Sequence, residues 1–243
     1  MQLVILSAGI GSRLKPLTNE KPKCLVEVVN KPILGHQIDL FINNKNVEEI
    51  LIVIGYKPHL VRSFIEINYG STRKITCVEN KDFLTTNNMY SLFLAKNHVK
   101  GKFLLINGDV ILHPSIVKDF LSYPYEDSIA VDVGRYFEES MKVIEKDGLL
   151  VDISKSVSEQ EAFGSSIDFY KFSDHGASIV FSIIENIIIK RKQLNLWSEV
   201  ALKEILNQGL LKIKPFDIKG NYWFEIDDLE DLKNAEKTLN KQI

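Results

Sequence analysis

An apolar run at residues 3–6 leads into Ser7-Ala8-Gly9-Ile10-Gly11-Ser12-Arg13-Leu14, then Lys15-Pro16-Leu17-Thr18. Gly9 and Gly11 permit close backbone approach and unusual dihedrals, so successive N–H groups can turn toward phosphate oxygens. Arg13 adds a planar guanidinium fork suited to a polyphosphate. Lys23, directly after Pro22, adds a compact positive charge on a stiffened loop. Acids supply the complementary chemistry. Asp109 closes Asn107-Gly108-Asp109 after the run 103–106, and Glu225-Ile226-Asp227 follows Tyr222-Trp223-Phe224. In a strand, residues 225 and 227 share a face while Ile226 packs the other way. Asp109 can equally cap the next turn, and Asp227 or Asp228 can cap a final charged helix that starts there.

Three readings of the glycine loop compete. A dinucleotide-binding turn wants G-x-G-x-x-G opening into a helix, with an acid ending the second strand. Here Leu14 takes the third glycine's place, Pro16 and Pro22 postpone the helix, and Gly55-Tyr56 replaces the acid. A P-loop needs G-x-x-x-x-G-K-[ST], which is absent. An ordinary glycine turn explains the two glycines, but not their company of Arg13, Lys23 and a long loop.

The elements that must position these groups follow from the apolar pattern. Runs at 3–6, 50–54, 75–78 and 103–106 are short, mostly β-branched or aromatic, and each ends in turn residues. Between them, Ile33, Leu34, Ile38, Phe41 and Ile42 form one helical face. Leu60, Val61, Phe64, Ile65 and Asn68 form a second, and Met89, Leu92, Phe93 and Ala95 a third. Strands alternating with helices predict βαβ units on a buried, mostly parallel sheet. Right-handed crossovers place the strand C-termini along one ligand-binding edge, which gathers residues 7–11, Gly55-Tyr56 and 107–109. Residues 142–145, 149–153 and 167–172, broken by short turns such as Lys146-Asp147-Gly148, predict antiparallel strands of a flap. Helices are expected over 177–191 and 198–206, a strand near 222–226, and a last helix from Asp228. The expectation is an α/β, Rossmann-like three-layer sandwich with a mostly parallel central sheet and a small antiparallel flap. It forms a single domain over 1–243, with a nucleotide-binding part at 1–133 and an acceptor-binding part and flap at 134–243.

The loop, Pro16-Leu17-Thr18, Lys21-Pro22-Lys23-Cys24-Leu25 and Asn30-Lys31-Pro32-Ile33-Leu34 together resemble the signature of the nucleoside-triphosphate transferase family. Thr85-Thr86-Asn87-Asn88-Met89-Tyr90-Ser91-Leu92 and the late Trp-Phe-Glu-Ile-Asp string are similar to its phosphocholine cytidylyltransferase-like branch, which includes phosphoglutamine cytidylyltransferases. The resemblance implies that the loop backbone (Ser7, Ala8, Gly9, Gly11, Ser12) and Arg13 hold the triphosphate, while Lys23 neutralises the α-phosphate. It implies CTP, with Gly55, Tyr56 and Asn88 nearby. It also implies Mg²⁺ on Asp109 and Asp227, hard oxygen ligands of the kind magnesium prefers, with Glu225 orienting a metal-bound water. Transfer of CMP to a small phosphorylated acceptor follows, in the setting of capsule or cell-surface polysaccharide synthesis.

Trp197, Tyr222 and Trp223 offer aromatic faces for choline, with Glu199 adding negative charge. Yet 138–143 holds no Trp or Tyr, where choline-type relatives supply an aromatic wall. Met141-Lys142 stands there instead, and Lys142 and Lys155 suit a second anionic group or are solvated strand residues. Two other readings stand beside this one: a sugar-1-phosphate nucleotidyltransferase using UTP, dTTP or GTP, and a nucleotide-binding regulatory subunit without catalysis.

Composition narrows the rest. Thirty basic and 32 acidic residues give a net charge of -2, so no basic field for nucleic acid exists. Cys24 and Cys77, the only cysteines, lie far apart and suit neither a disulfide framework nor a cysteine zinc site. The five histidines show no H-x-x-x-H spacing. No run approaches the ~18 apolar residues of a membrane span, and the expectation is a cytoplasmic protein. The apolar segment 179–189 fits either a buried core helix or a homodimer interface.

Overall fold

The computed structural model describes residues 1–70, 74–136 and 139–241. In chain order, β1 (Gln2–Ser7) is followed by the short hairpin β2 (Glu27–Val28) and β3 (Lys31–Pro32). Next come α1 (Ile33–Phe41), β4 (Glu49–Ile54), α2 (Pro58–Tyr69), β5 (Ile75–Glu79), α3 (Asn88–Ala95) and β6 (Phe103–Asn107). Then follow β7 (Val110–Leu112), α4 (Pro114–Ser122), β8 (Ser128–Val133), and the hairpin β9 (Lys142–Lys146) and β10 (Leu149–Ser154). The remainder is β11 (Gly164–Phe172), α5 (Asp174–Glu185), α6 (Ser198–Asn207), β12 (Lys214–Asp217), β13 (Trp223–Glu225) and α7 (Leu229–Leu239).

Strands β6, β1, β4 and β5 pair in parallel, as their continuous apolar sequences require when helices cover both faces. Alternation along each strand sorts the core. Leu3, Ile5, Ile50 and Ile52 meet α1, α2 and α4 on one side. Val4, Leu6, Leu51 and Val53 meet α3, α5 and α6 on the other. This is the expected three-layer sandwich, with β1 between β6 and β4.

The second half joins the same sheet. Residues 167–172, expected beside the flap strands, lie in β11, which pairs antiparallel with β6, β8 and β9. It thereby carries the main sheet across to the β9–β10 hairpin, and that hairpin is the antiparallel flap. Strands β7, β8 and β12 and helix α4 are additions to the sequence expectation. The segment 179–189 turns its apolar face inward, burying Val180, Phe181, Ile184, Ile187 and Ile188. It is a core helix ending in a π-helical turn, Asn186–Lys190. Both cysteines are free, and burial pushes the Cys24 thiol up to about 12. Among the described residues no helix is long and apolar enough to cross a membrane.

At the sheet's C-terminal edge, Gly108 brings the β6–β7 turn onto β1, its N–H donating to Leu6 O at 2.9 Å. A Cβ there would stand 2.3 Å from Ser7 Oγ and 2.6 Å from Leu6 O. Gly108→Ala is therefore expected to destabilise the fold by about 1–3 kcal/mol, the usual cost of overpacking. A urea melt with an unchanged midpoint would contradict this reading of the turn.

Candidate active site

Gly11 sets the shape of the first loop. It adopts φ 75° and ψ 50°, a left-handed conformation that glycine takes without penalty, and opens a 3-10 turn over Ser12–Leu14. Thr18 Oγ1 donates to its carbonyl at 2.7 Å, and Leu14 N at 3.0 Å. A Cβ on Gly11 would come within 2.7 Å of Lys23 Cβ, so its missing side chain is the space that Lys23 fills. Lys23 itself starts a second 3-10 turn, anchored by buried Cys24 and Leu25.

The acids arrive from the far end of the chain. Strand β13 pairs antiparallel with β7, setting Glu225 opposite Val110, and Ile226 N donates to Asp109 O at 3.0 Å. Asp109 and Asp227 are thereby neighbours. Lys23 Nζ donates to Asp109 Oδ2 at 2.7 Å and to Asp227 Oδ1 at 2.5 Å, while Arg13 Nη2 donates to Asp227 Oδ2 at 2.5 Å. Burial alone would lower the Lys23 pKa, but Asp109 and Asp227 more than offset it and the ammonium is held charged. Burial would likewise raise Asp227, yet Lys23 and Arg13 keep it below the ordinary carboxylate value. Glu225 forms no ion pair among the described residues, and Lys23 offsets its neighbours only in part. Burial, then repulsion from Asp168, Asp109 and Asp227, pushes it up to about 9. Asp228 is the helix cap, accepting from Glu230 N and Asp231 N, which leaves Asp227 to the cleft.

Asp109, Glu225 and Asp227 each offer an oxygen, all within 4.8 Å of one another, and Asp109 Oδ1 is buried with no hydrogen-bond partner. Three hard oxygen donors with one uncommitted atom fit a magnesium ion.

These groups line one cleft of about 400 Å³. Of the residues singled out in the sequence, Ser7, Ala8, Gly9, Gly11, Ser12, Arg13, Lys23, Asn88, Asp109, Lys155, Trp197, Glu199, Glu225 and Asp227 all line it. Five stand off its wall. Gly55 packs against Ala8, where a Cβ would be 2.6 Å from the carbonyl, and Tyr56 turns its hydroxyl to Asn19 O. Trp223 Nε1 donates to Asp132 at 2.9 Å, and Lys142 is buried in β9. Tyr222 packs edge-on against His113. Asn88 lines the cleft, and its Oδ1 accepts Ser198 N at 2.8 Å, tying α3 to the start of α6. Asn87 is the cap of α3. Glu138 lies outside the described residues.

Sequence reading missed Asn80, Phe83, Ser166 and Asp168, which also line the cleft. Asp168 sits in a run that reads as plain buried strand, so only its charge among apolar neighbours marked it. Tyr170 Oη lies 2.9 Å from Asp168 Oδ1 and 2.7 Å from Glu199 Oε1. Trp197 carries the Lys155 ammonium 5.0 Å above its ring, and Lys155 also reaches Glu139 at 3.3 Å.

The chain has relatives among known proteins. Residues 2–134 match the family model described as nucleotidyl transferase. The whole chain is 31% identical to the bifunctional protein GlmU of Methanococcus vannielii, spanning 56% of that relative. Over 97% of its length it is 26% identical to the CMP-5'-(3-aminopropyl)phosphonate synthase of Streptomyces rubellomurinus, covering 38% of it. The chain thus spans about half the length, or less, of these curated relatives. The solved CTP:phosphocholine cytidylyltransferase of Streptococcus pneumoniae superimposes with a TM-score of 0.81 at 25% identity, covering 98% of both chains. The matched region contains the glycine loop, Lys23 and Asp109, and on that match the chain belongs to the nucleotidyl transferase family.

Proposed function

We propose that this protein is a magnesium-dependent cytidylyltransferase that joins CMP from CTP to a small phosphorylated acceptor and releases pyrophosphate. The observation that carries the reading is the convergence of Lys23, Arg13 and the Asp109–Glu225–Asp227 cluster with the glycine loop in one cleft. CTP is favoured by the likeness to the pneumococcal CTP-dependent enzyme, at the same fold and over the same length. The acceptor class, a short phosphate or phosphonate, is that of the compounds for which that enzyme and the Streptomyces synthase are named.

In this reading an acceptor phosphate oxygen attacks the α-phosphorus of CTP in line. The new P–O bond forms as the bond to the bridging oxygen breaks, and pyrophosphate leaves with that electron pair. The acceptor phosphate is already ionised near neutral pH, so no side chain needs to remove a proton. Two anions must meet, and the protein's task is to align them and offset their charge. The Lys23 ammonium does so beside the α-phosphate, and the Arg13 fork does so on the triphosphate tail. Asp109 and Asp227 would hold Mg²⁺, which supplies Lewis-acid charge neutralisation.

Pyrophosphate release with CTP, Mg²⁺ and a panel of phosphorylated acceptors tests the proposal. Turnover is expected with CTP in preference to UTP, dTTP, GTP and ATP. Lys23→Ala should lower it by ~10²-fold or more with the fold intact, the scale of losing a positioned charge stabiliser. Near-normal turnover of that variant removes Lys23 from catalysis. Faster reaction of UTP, dTTP or GTP with a hexose 1-phosphate replaces the cytidylyl assignment. Nucleotide binding without release for every acceptor points to a regulatory subunit.

A further inference from the structure

One end of the cleft is acidic and short of cations. Asp168 and Glu199 are only 9% and 3% exposed, and both touch the Tyr170 hydroxyl. That hydroxyl has one proton and can donate to only one carboxylate at a time. Their other side-chain donors are neutral: Asn107 Nδ2 reaches Asp168 at 2.8 Å, Ser198 Oγ reaches Glu199 at 3.2 Å, and the Asn88 side chain also bonds Glu199. The cations of the cleft are engaged elsewhere, Lys23 and Arg13 with Asp109 and Asp227, Lys155 with Glu139. Among the described residues, no Lys, Arg or His forms an ion pair with Asp168 or Glu199. Burial, then repulsion from Glu199 and Asp109, pushes Asp168 up to about 8, and burial raises Glu199 as well. Two neighbouring buried acids served only by neutral donors are costly to ionise together unless a positive group completes them.

Other features point to a ligand here. Ser7, 5% exposed, lines the same cleft with its Oγ unpartnered, and so does Asn107 Oδ1, on the amide that holds Asp168. Asp168 also adopts φ 55°, at the irregularity where β11 shifts register against β8 between Ser166 and Tyr170. An aspartate tolerates this conformation better than most residues.

Resting on the transferase reading above, we infer that the acceptor is a short alkyl phosphate or phosphonate carrying a protonated primary amine, whose ammonium is bound by Asp168 and Glu199. Its N–H groups give both carboxylates the charged donors that the protein withholds, and Tyr170 and Asn107 hold the acids in place. A quaternary ammonium fits less well. It has no N–H to offer and requires open aromatic faces. Phe83 and Trp197 are the only aromatic residues lining the cleft among those described, and Lys155 already lies over the Trp197 ring.

Titration calorimetry with phosphoethanolamine, 2-hydroxyethyl phosphate and phosphocholine tests the assignment. The titrations are run with and without Mg²⁺ and an unreactive α,β-methylene analogue of CTP. Phosphoethanolamine is expected to bind best, and Glu199→Gln should weaken it by roughly 30-fold or more, as for loss of one partner in a buried charge pair. The same variant should leave 2-hydroxyethyl phosphate within a few-fold of its wild-type affinity. Asp168→Asn is a second, independent variant, and circular dichroism verifies the fold of both. Equal binding of the amine and the alcohol, tighter binding of phosphocholine, no binding of phosphoethanolamine, or a preference that survives Glu199→Gln each overturns the inference. Pyrophosphate release with the same compounds separates the two levels. Release that ignores the amine removes only this assignment, whereas no release with any acceptor removes the transferase reading.

Discussion

The pairing of β13 with β7 is the constraint on which the site depends. Asp109 and Asp227 are more than a hundred residues apart in the chain, and neither would choose a carboxylate as neighbour in water. The backbone makes the choice. Glu225 lies opposite Val110, and the bond from Ile226 N to Asp109 O locks the two acid-bearing turns together. Ile226 is fully buried against Leu14, Val26 and Ile111, so this register is fixed by apolar packing. With the strands in place, the repulsion between their acids has to be met locally, and Lys23 meets it by donating to both.

That arrangement orders charge along the cleft. The cationic groups of the loop sit where it opens from β1, and Asp168 and Glu199, which form no ion pair among the described residues, come from β11 and α6. The loop cations are held by Asp109 and Asp227, which keeps them from pairing with Asp168 and Glu199. β11 binds β6 directly, so the wall that carries Asp168 is as fixed as the wall that carries Asp109.

Much of this was legible in the residues. The continuous apolar runs marked β1, β4, β5 and β6, and the turn residues after them marked the cleft edge. The glycine loop, Arg13 and Lys23 were legible as a group, and the acid pair only beside them and through the family resemblance, because an aspartate at a strand end reads equally well as a cap. What stayed hidden depends on partners far away in the chain. β12 carries Pro215, which a strand tolerates at a sheet edge, and only its pairing with β8 defines it. Gly55 and Tyr56 follow a strand of the right edge, but Gly55 packs tightly on Ala8 and Tyr56 turns its hydroxyl to Asn19 O, so neither lines the cleft. Trp223 and Lys142 have the right chemistry for an acceptor, while β-strand alternation points both elsewhere. Asp168 escaped because the irregularity in β11 changes which residues share a face, and no periodicity argument registers that shift.

Asp227 and Asp228 are adjacent, chemically identical, and assigned to different tasks. Asp228 and Asp231 form a reciprocal capping box that seats the first turn of α7, and Asp231 Oδ2 also accepts Asp227 N at 2.9 Å. The helix start therefore clamps the very peptide that aims Asp227. Chain length at this joint is a geared quantity: one residue more or less would rotate Ile226 toward the polar side and hand the wrong aspartate to each task. Drift in length can be absorbed at the exposed end of α7, but not at its root.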